Sequence, residues 1–359
     1  MIARNVLHTV FLVPMSSIGA KLDPPLLPEY RAFCLLIVSA SAAIIILCGV
    51  VAIIVNEFKD FLLLLSFIFA TCAAQYSEFT RRWHFLTESA AAALVTDLIR
   101  YCIQVVGIAI LSCIYEDRFS SELAFLVIGV AALVGAAWGL RGGGWRLKRQ
   151  FVQMVLPRHA RYFRWIAPAV AFETIQGNVP FYIASLYLSH QGIGLLRALL
   201  SITNVMNLPY YTFQQISPGQ AARAFHFGGD TSLRNYLRRL LFIGALSATA
   251  LSAIVLMFNE VILKHVFNIY SSDAWLLLLC FCVLNIGLMA RLPLQVAHQA
   301  REGSSVLFLS ALIGAIAGVS LPFLLVPMLG ELGLPLSNIA VIIVTAVPLA
   351  FPFRSARAV

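Results

Sequence analysis

Apolar runs long enough to cross a bilayer recur along the chain, separated by short polar connections. Ten full runs cover residues 31–55, 61–79, 90–114, 121–140, 164–188, 193–216, 235–258, 274–297, 305–329 and 334–353. A helix rises about 1.5 Å per residue, so about 20 apolar residues span the hydrocarbon core. Strands of an outer-membrane barrel alternate in polarity and need about half that length, which excludes a barrel. A further run, 5–19, is apolar but short, contains Pro14, and is ended by Lys21 and the turn Asp23-Pro24-Pro25. It reads as the last part of a span. The pattern predicts an all-α polytopic membrane protein with about ten full transmembrane helices plus a partial one.

One polar interruption differs from the rest. Arg141 to Arg164 holds seven basic residues and no acidic one. Lys and Arg flanking short spans stay cytoplasmic, so this stretch is placed in the cytoplasm. It divides the chain into an N-terminal bundle (1–140), a basic linker (141–163) and a C-terminal bundle (164–359). The triple glycine at 142–144 breaks the preceding helix. Pro157 predicts a short, amphipathic helix lying on the membrane surface.

Alternating sides along the spans tests this assignment. The linker's side collects 18 of the 25 Lys and Arg residues and the opposite side three: Lys59, Arg118 and Lys264. Arg4, Arg100, Arg197 and Arg291 lie in or beside spans. So uneven a split supports the span list and a cytoplasmic C-terminus.

The two bundles also resemble each other. Pro14, Tyr30-Arg31 and Asn56-Glu57 recur in order as Pro218, Tyr236 and Asn259-Glu260. Leu62 to Leu65 and Ser89 recur as Leu276 to Leu279 and Ser304. Matching order and sidedness predict parallel repeats related by an axis along the membrane normal. The second copy has two spans before its proline where the first has residues 1–13. The pattern therefore predicts about 40 to 50 further residues upstream.

Composition agrees with the spans. The 359 residues are 60% hydrophobic and 11% charged, with mean hydropathy +0.89, against about 25% charged in soluble proteins. The net charge of +9 would suggest nucleic acid for a soluble chain. Here it sits in loops on one side, so orientation explains it and no nucleic-acid partner is implied. All seven cysteines fall in apolar runs, and the histidines lack ligand spacing. No metal site, cofactor or catalytic constellation is recognisable, and the chain does not read as an enzyme.

The candidate chemistry lies in polar residues inside spans, where a charge faces a cavity or a partner. Asp97 and Arg100 are three apart and can pair on one helix face. Glu173 precedes Gln176-Gly177-Asn178 and Pro180, where a kink is expected. Arg197 lies near the outer end of its span, and Arg291, with Gln295 and His298, in the inner half of its own. Each position also suits a structural role, as a helix-to-helix pair or a snorkelling side chain. Glu78 and Arg82, at i,i+4, read as a charged helix end.

Two stretches carry a family resemblance. One is Gln75-x-x-Glu78-x-x-Arg81-Arg82 followed by Ser89-Ala-Ala-Ala-Ala-Leu-Val-Thr-Asp97-Leu-Ile-Arg100-Tyr101. The other is Trp165-x-x-Pro168, Ile183-Ala-Ser-Leu-Tyr-Leu-Ser, Gly192-x-Gly194 and Pro218-x-x-x-Ala222-Arg223. Together they resemble the polysaccharide and O-antigen flippases of the multidrug/oligosaccharidyl-lipid/polysaccharide exporter superfamily. Two features depart from that family: Pro180 stands where an acidic residue usually follows Asn178 by two, and the family's first helix is missing from the start.

The resemblance implies a bacterial inner-membrane protein that moves an undecaprenyl-diphosphate-linked oligosaccharide outward by alternating access. It implies as partners the lipid-linked oligosaccharide, membrane lipids, and a polysaccharide polymerase or glycosyltransferases. Arg100, Asp97, Glu173, Arg291, Arg197 and Asn178 are then the candidate substrate-binding residues, with Arg100 the substrate-sensitive one and Glu173 its counterweight in the other half. A cation-coupled drug antiporter of the same fold is the rival, and it predicts acidic residues in the cavity. A truncated, non-transporting membrane protein is the third reading.

Reporter fusions test the topology. A fusion at Gly143 should report the cytoplasm and one at Asp273 the opposite side. The same compartment at both positions would break the span list.

Overall fold

The computed structural model describes residues 14–56, 60–115, 119–141, 147–266 and 274–351. The first part of the partial run at 5–19, the triple glycine, residues 267–273 of the loop expected to face outward, Arg354 and Arg357 lie outside the described residues. So do Glu57, Lys59, Glu116, Asp117 and Arg118.

Among the described residues ten long helices carry the fold: α1 (Leu27–Asn56), α2 (Phe61–Leu86), α3 (Ala90–Tyr115), α4 (Ser121–Gly139), α5 (Arg149–Tyr187), α6 (His190–Met206), α7 (Leu208–Met257), α8 (Ala274–Ala300), α9 (Ser304–Leu329) and α10 (Gly333–Ala350). Every apolar run expected to span falls on one of them, or on the junction of α6 and α7. No strand is present among the described residues. The chain is an all-helical, polytopic membrane protein. Among the described residues, seven stretches are long and apolar enough to cross a membrane. The expected ten exceed this because the 47-residue stretch Ser304–Ala350 contains two of the expected runs. In addition, α6 has 17 residues, below the length required, and the apolar part of α5 is diluted by Glu173, Gln176 and Asn178.

The chain forms two compact units, Met1–Phe163 and Arg164–Val359. In unit 1, α4 presents a face of small buried residues: Gly129, Ala131, Ala132, Gly135, Ala136 and Gly139. Helices pack in a membrane by close approach over such faces. A methyl group added at Gly129 would lie 3.2 Å from the Ala70 Cα on α2, and one at Gly135 would lie 3.1 Å from the Arg100 Cβ on α3. In unit 2, α9 does the same with Gly314, Ala315 and Gly318, all buried. Gln176 of α5 rests on both of those glycines. A cluster of Ala184, Leu196, Leu199, Met206, Leu277, Leu278 and Phe281 packs α5, α6 and α8 together.

Two local expectations need correction. The basic linker is not a short helix ended by Pro157: α5 runs unbroken from Arg149 through Pro157 to Tyr187. A proline costs a helix one hydrogen bond but already holds a helical φ. Packing offsets that cost, because Phe151, Val155, His159 and Tyr162 form a buried stripe along the segment. The Tyr30 hydroxyl lies 3.0 Å from His159 Nε2, and Lys148 pairs with Glu29 at 2.8 Å.

The segment Gln176 to Pro180, where the sequence predicts a kink, lies within helical residues of α5. The second correction concerns the run 193–216. It breaks at Asn207, where Pro209 opens α7 and Asn285 Nδ2 donates to the Met206 carbonyl at 3.3 Å. The stretch expected to connect it to the next run is helical too, interrupted at Gly229, whose φ of 63° suits glycine.

The close approach at α9 is testable. Gly318→Leu would force a side chain into the Gln176 backbone, 3.2 Å from the first added carbon, and should destabilise by about 1–3 kcal/mol. Gly177, with nothing within 4 Å, should accept alanine with equal or higher thermal stability. Melting temperatures of the detergent-solubilised variants check both; equal values for Gly318→Leu and the parent would contradict the packing.

Candidate functional site

Unit 1 gathers charge at the end of α2 and the facing parts of α3 and α4. Glu78, read from sequence as part of a charged helix end, is instead buried at 3% exposure, with Arg82 at 5% beside it. Arg82 Nε donates to Glu78 Oε1 at 3.1 Å, and Arg81 also pairs with Glu78. Arg81 reaches across to Asp97 on α3, with Nη1 3.8 Å from Oδ2.

Asp97 thus has a cross-helix partner in Arg81 besides the charge of Arg100 on its own helix. Asp97 sits against α2, where Arg81 meets it. Arg100 turns instead to donate from Nη1 to Ser77 Oγ at 3.2 Å, with its guanidinium 5.2 Å from the Tyr101 ring centre.

Arg31 of α1 completes the cluster. It donates from Nη2 to the Gly139 carbonyl at 3.2 Å and lies 5.7 Å from the Trp83 ring centre. Sequence reasoning had counted Arg31 only as a topology signal and had missed Ser77, Gly135 and Gly139. The signal for the last two was the small-residue face of α4. The cluster contains Arg31, Arg81, Arg82 and Arg100 against Glu78 and Asp97.

Unit 2 is arranged differently. Glu173 on α5 is exposed, and its charge is acted on by Arg291 of α8. Tyr210 of α7 feels both charges. Arg291 is half-buried; its Nη2 donates to Ser310 Oγ on α9 at 3.4 Å, and Ser310 donates onward to the Thr345 carbonyl of α10 at 2.8 Å. Within unit 2 the charge nearest in effect to Glu173 is that of Arg291.

Arg197 and Asn178 stand apart from this arrangement. Arg197 is exposed, 5.4 Å from the Phe181 ring centre, and Asn178 is exposed and donates to its own helix at the Thr174 carbonyl, 2.8 Å away. Of the two residues expected beside Arg291, His298 is buried with Nε2 3.0 Å from the Leu349 carbonyl, holding the end of α10, and Gln295 is buried on α8.

Compared by sequence, the chain matches no family model and no curated protein. Compared by structure, it is similar over nearly its whole length to solved transporters. The eukaryotic MATE transporter AtDTX14 superposes with a TM-score of 0.73 at 13% identity, covering 97% of this chain and 82% of that one. A MOP superfamily transporter from Pyrococcus furiosus, described as having a binding pocket of reverse polarity that suggests a different function, superposes at 0.77 and 11% identity, covering 96% and 82%. The Vibrio cholerae MATE transporter VcmN, solved as a point mutant, superposes at 0.76 and 10% identity, covering 97% and 84%. At such identities the likeness is one of fold. The chain has the fold of the MATE transporters of the MOP superfamily.

The buried pair in unit 1 makes a stability prediction. Glu78→Gln strands the Arg82 charge and should cost about 3 kcal/mol. Glu78→Gln with Arg82→Gln should recover part of that loss in a denaturation midpoint. A single variant as stable as the parent would show that the pair contributes nothing.

Proposed function

We propose that this protein is a transporter of the bacterial inner membrane, with a cytoplasmic C-terminus, that moves an undecaprenyl-diphosphate-linked oligosaccharide outward for surface polysaccharide synthesis. The observation that carries the reading is the sign of the buried charge. Arg31, Arg82 and Arg100 are buried in the membrane helices against Glu78. A diphosphate headgroup is anionic and strongly hydrated, so it does not cross hydrocarbon unaided. Arginine grips such oxygens through two parallel charge-assisted bonds. The fold supports the reading from its side, since it is one used for transport, and in the Pyrococcus furiosus neighbour the pocket polarity is described as reversed.

A second reading is a cation-coupled drug antiporter, which the names of the structural neighbours favour. Glu173 is the residue that suits it, as an accessible carboxylate able to hold a cation. The arginine excess weighs against it.

Disrupting the gene and assaying both phenotypes separates the two. Loss of a surface glycan with unchanged drug susceptibility is expected. Arg100→Ala should abolish glycan export, and Arg100→Lys should leave part of it, with both proteins present in the membrane in normal amount. Normal glycan with raised drug susceptibility would overturn the proposal in favour of the antiporter. Loss of the Arg100→Ala protein itself would assign that residue to holding the helices together.

A further inference from the structure

The second half of α7 carries three arginines at the edge of its apolar stretch, Arg234, Arg238 and Arg239, all exposed. Among the described residues none of the three side chains makes an ion pair or a hydrogen bond. The nearest acidic residue along the helix, Asp230, is already held by Arg301, with Nη2 2.5 Å from Oδ1. From Thr231 to Met257 the helix has no acidic residue, and from Leu240 to Met257 no charged one. The arginines therefore place positive charge, without a partner on their own helix, where α7 meets its apolar span.

The opposite face fixes how this part of α7 is turned. Leu233, Leu240, Gly244, Ala248 and Ser252 are buried. A methyl group added at Gly244 would lie 2.7 Å from the terminal methyl of Met289 on α8. With about 3.6 residues per turn, Asn235, Phe242 and Leu246 then line the outward side. All three are exposed, Phe242 at 70% and Leu246 at 61%. Arg238 and Arg239 flank that line, one on each side, a turn before Phe242. Side chains on a helix lean toward its N-terminus, so these guanidinium groups lean away from the apolar stretch and toward water. Along the outward surface an amide comes first, then two guanidinium groups, then an aromatic ring and an aliphatic chain. That is the order of chemistry that a phospholipid lying along the helix requires.

We infer that Asn235, Arg238 and Arg239 form a binding site on the outward face of unit 2 for the headgroup of an anionic phospholipid, whose acyl chains lie along Phe242 and Leu246. Guanidinium groups grip phosphate oxygens through paired charge-assisted bonds, and basic residues beside a span attract anionic lipids. A zwitterionic headgroup would bring a further positive charge next to the two arginines, so the anionic one is preferred. The occupant is a lipid and not a free anion, because the apolar half of the site stands in line with the charged half. The site lies between Gly229, where α7 is interrupted, and the apolar span. A bound lipid therefore ties the start of that span to the membrane boundary. The inference is independent of what the protein transports.

Native mass spectrometry of the purified full-length protein in detergent, with phosphatidylglycerol or phosphatidylcholine added at equal concentration, tests this. The parent should retain phosphatidylglycerol and little phosphatidylcholine. Arg238→Gln with Arg239→Gln should weaken that retention by about tenfold or more. Arg238→Lys with Arg239→Lys, which keeps both charges, should lose less. Phe242→Ser should weaken retention through the acyl chains alone. Arg149→Gln with Arg161→Gln, which removes two exposed arginines from α5, should leave it unchanged. Melting temperatures near the parent's are expected for all four, since each side chain is exposed. Glycerophosphoglycerol, the same headgroup without tails, should not displace the lipid. Equal retention of the two phospholipids, parent-like retention in the Arg238→Gln with Arg239→Gln protein, an equal loss in the α5 variant, or displacement by glycerophosphoglycerol would each overturn the inference.

Discussion

A guanidinium cannot be left bare in a hydrocarbon environment, and the internal layout of both units depends on that constraint. Several kcal/mol are at stake for each uncompensated charge. In unit 1 the compensation requires helices close enough to supply acceptors from their backbones and short side chains. The glycines of α4 provide this closeness: Gly139 offers its carbonyl to Arg31, and Gly135 leaves room for Arg100 to lie against α4. Larger residues there would push α4 away and remove acceptors from the arginines. The small face and the charged cluster are one device read from two sides.

Unit 2 uses the same small-residue packing at α9 but leaves its charges less satisfied. Gln176 rests on Gly314 and Gly318, yet its Oε1 is buried without a partner among the described residues. Arg291 has one long bond, and Glu173 is exposed. A closely committed cluster in one unit and an open one in the other suit different tasks. The first presents its arginines in a fixed array, and the second leaves Arg291 freer to change partner.

Much of this was legible in the sequence, and the failures have physical causes. Span positions follow from apolar length alone, and each expected run falls on helix. The single break at Asn207 was missed because Pro209 and the bond from Asn285, 79 residues beyond the Met206 carbonyl it reaches, act from outside the apolar pattern. The linker was misjudged because proline was weighed by its local cost, whereas burial of Phe151, Val155, His159 and Tyr162 is a tertiary gain. Arg291 and Glu173 were picked out as charges within spans, but their mutual action could not be read, since helix rotation is not set by an apolar pattern. The approach of Arg81 to Asp97 has the same origin: spacing along one helix shows Arg100 as a possible partner, and only the neighbouring helix brings in Arg81. Arg31 escaped notice because a basic residue at a span's end normally reports only sidedness.

The central claim is that the buried arginines select an anionic headgroup. Reconstituting the purified protein in liposomes and following translocation of a fluorescent undecaprenyl-diphosphate oligosaccharide, beside uptake of a cationic dye, tests it most directly. The account predicts movement of the diphosphate lipid, lost in Arg100→Ala, with no dye transport above empty liposomes. Dye transport driven by a cation gradient, with the diphosphate lipid static, would contradict it.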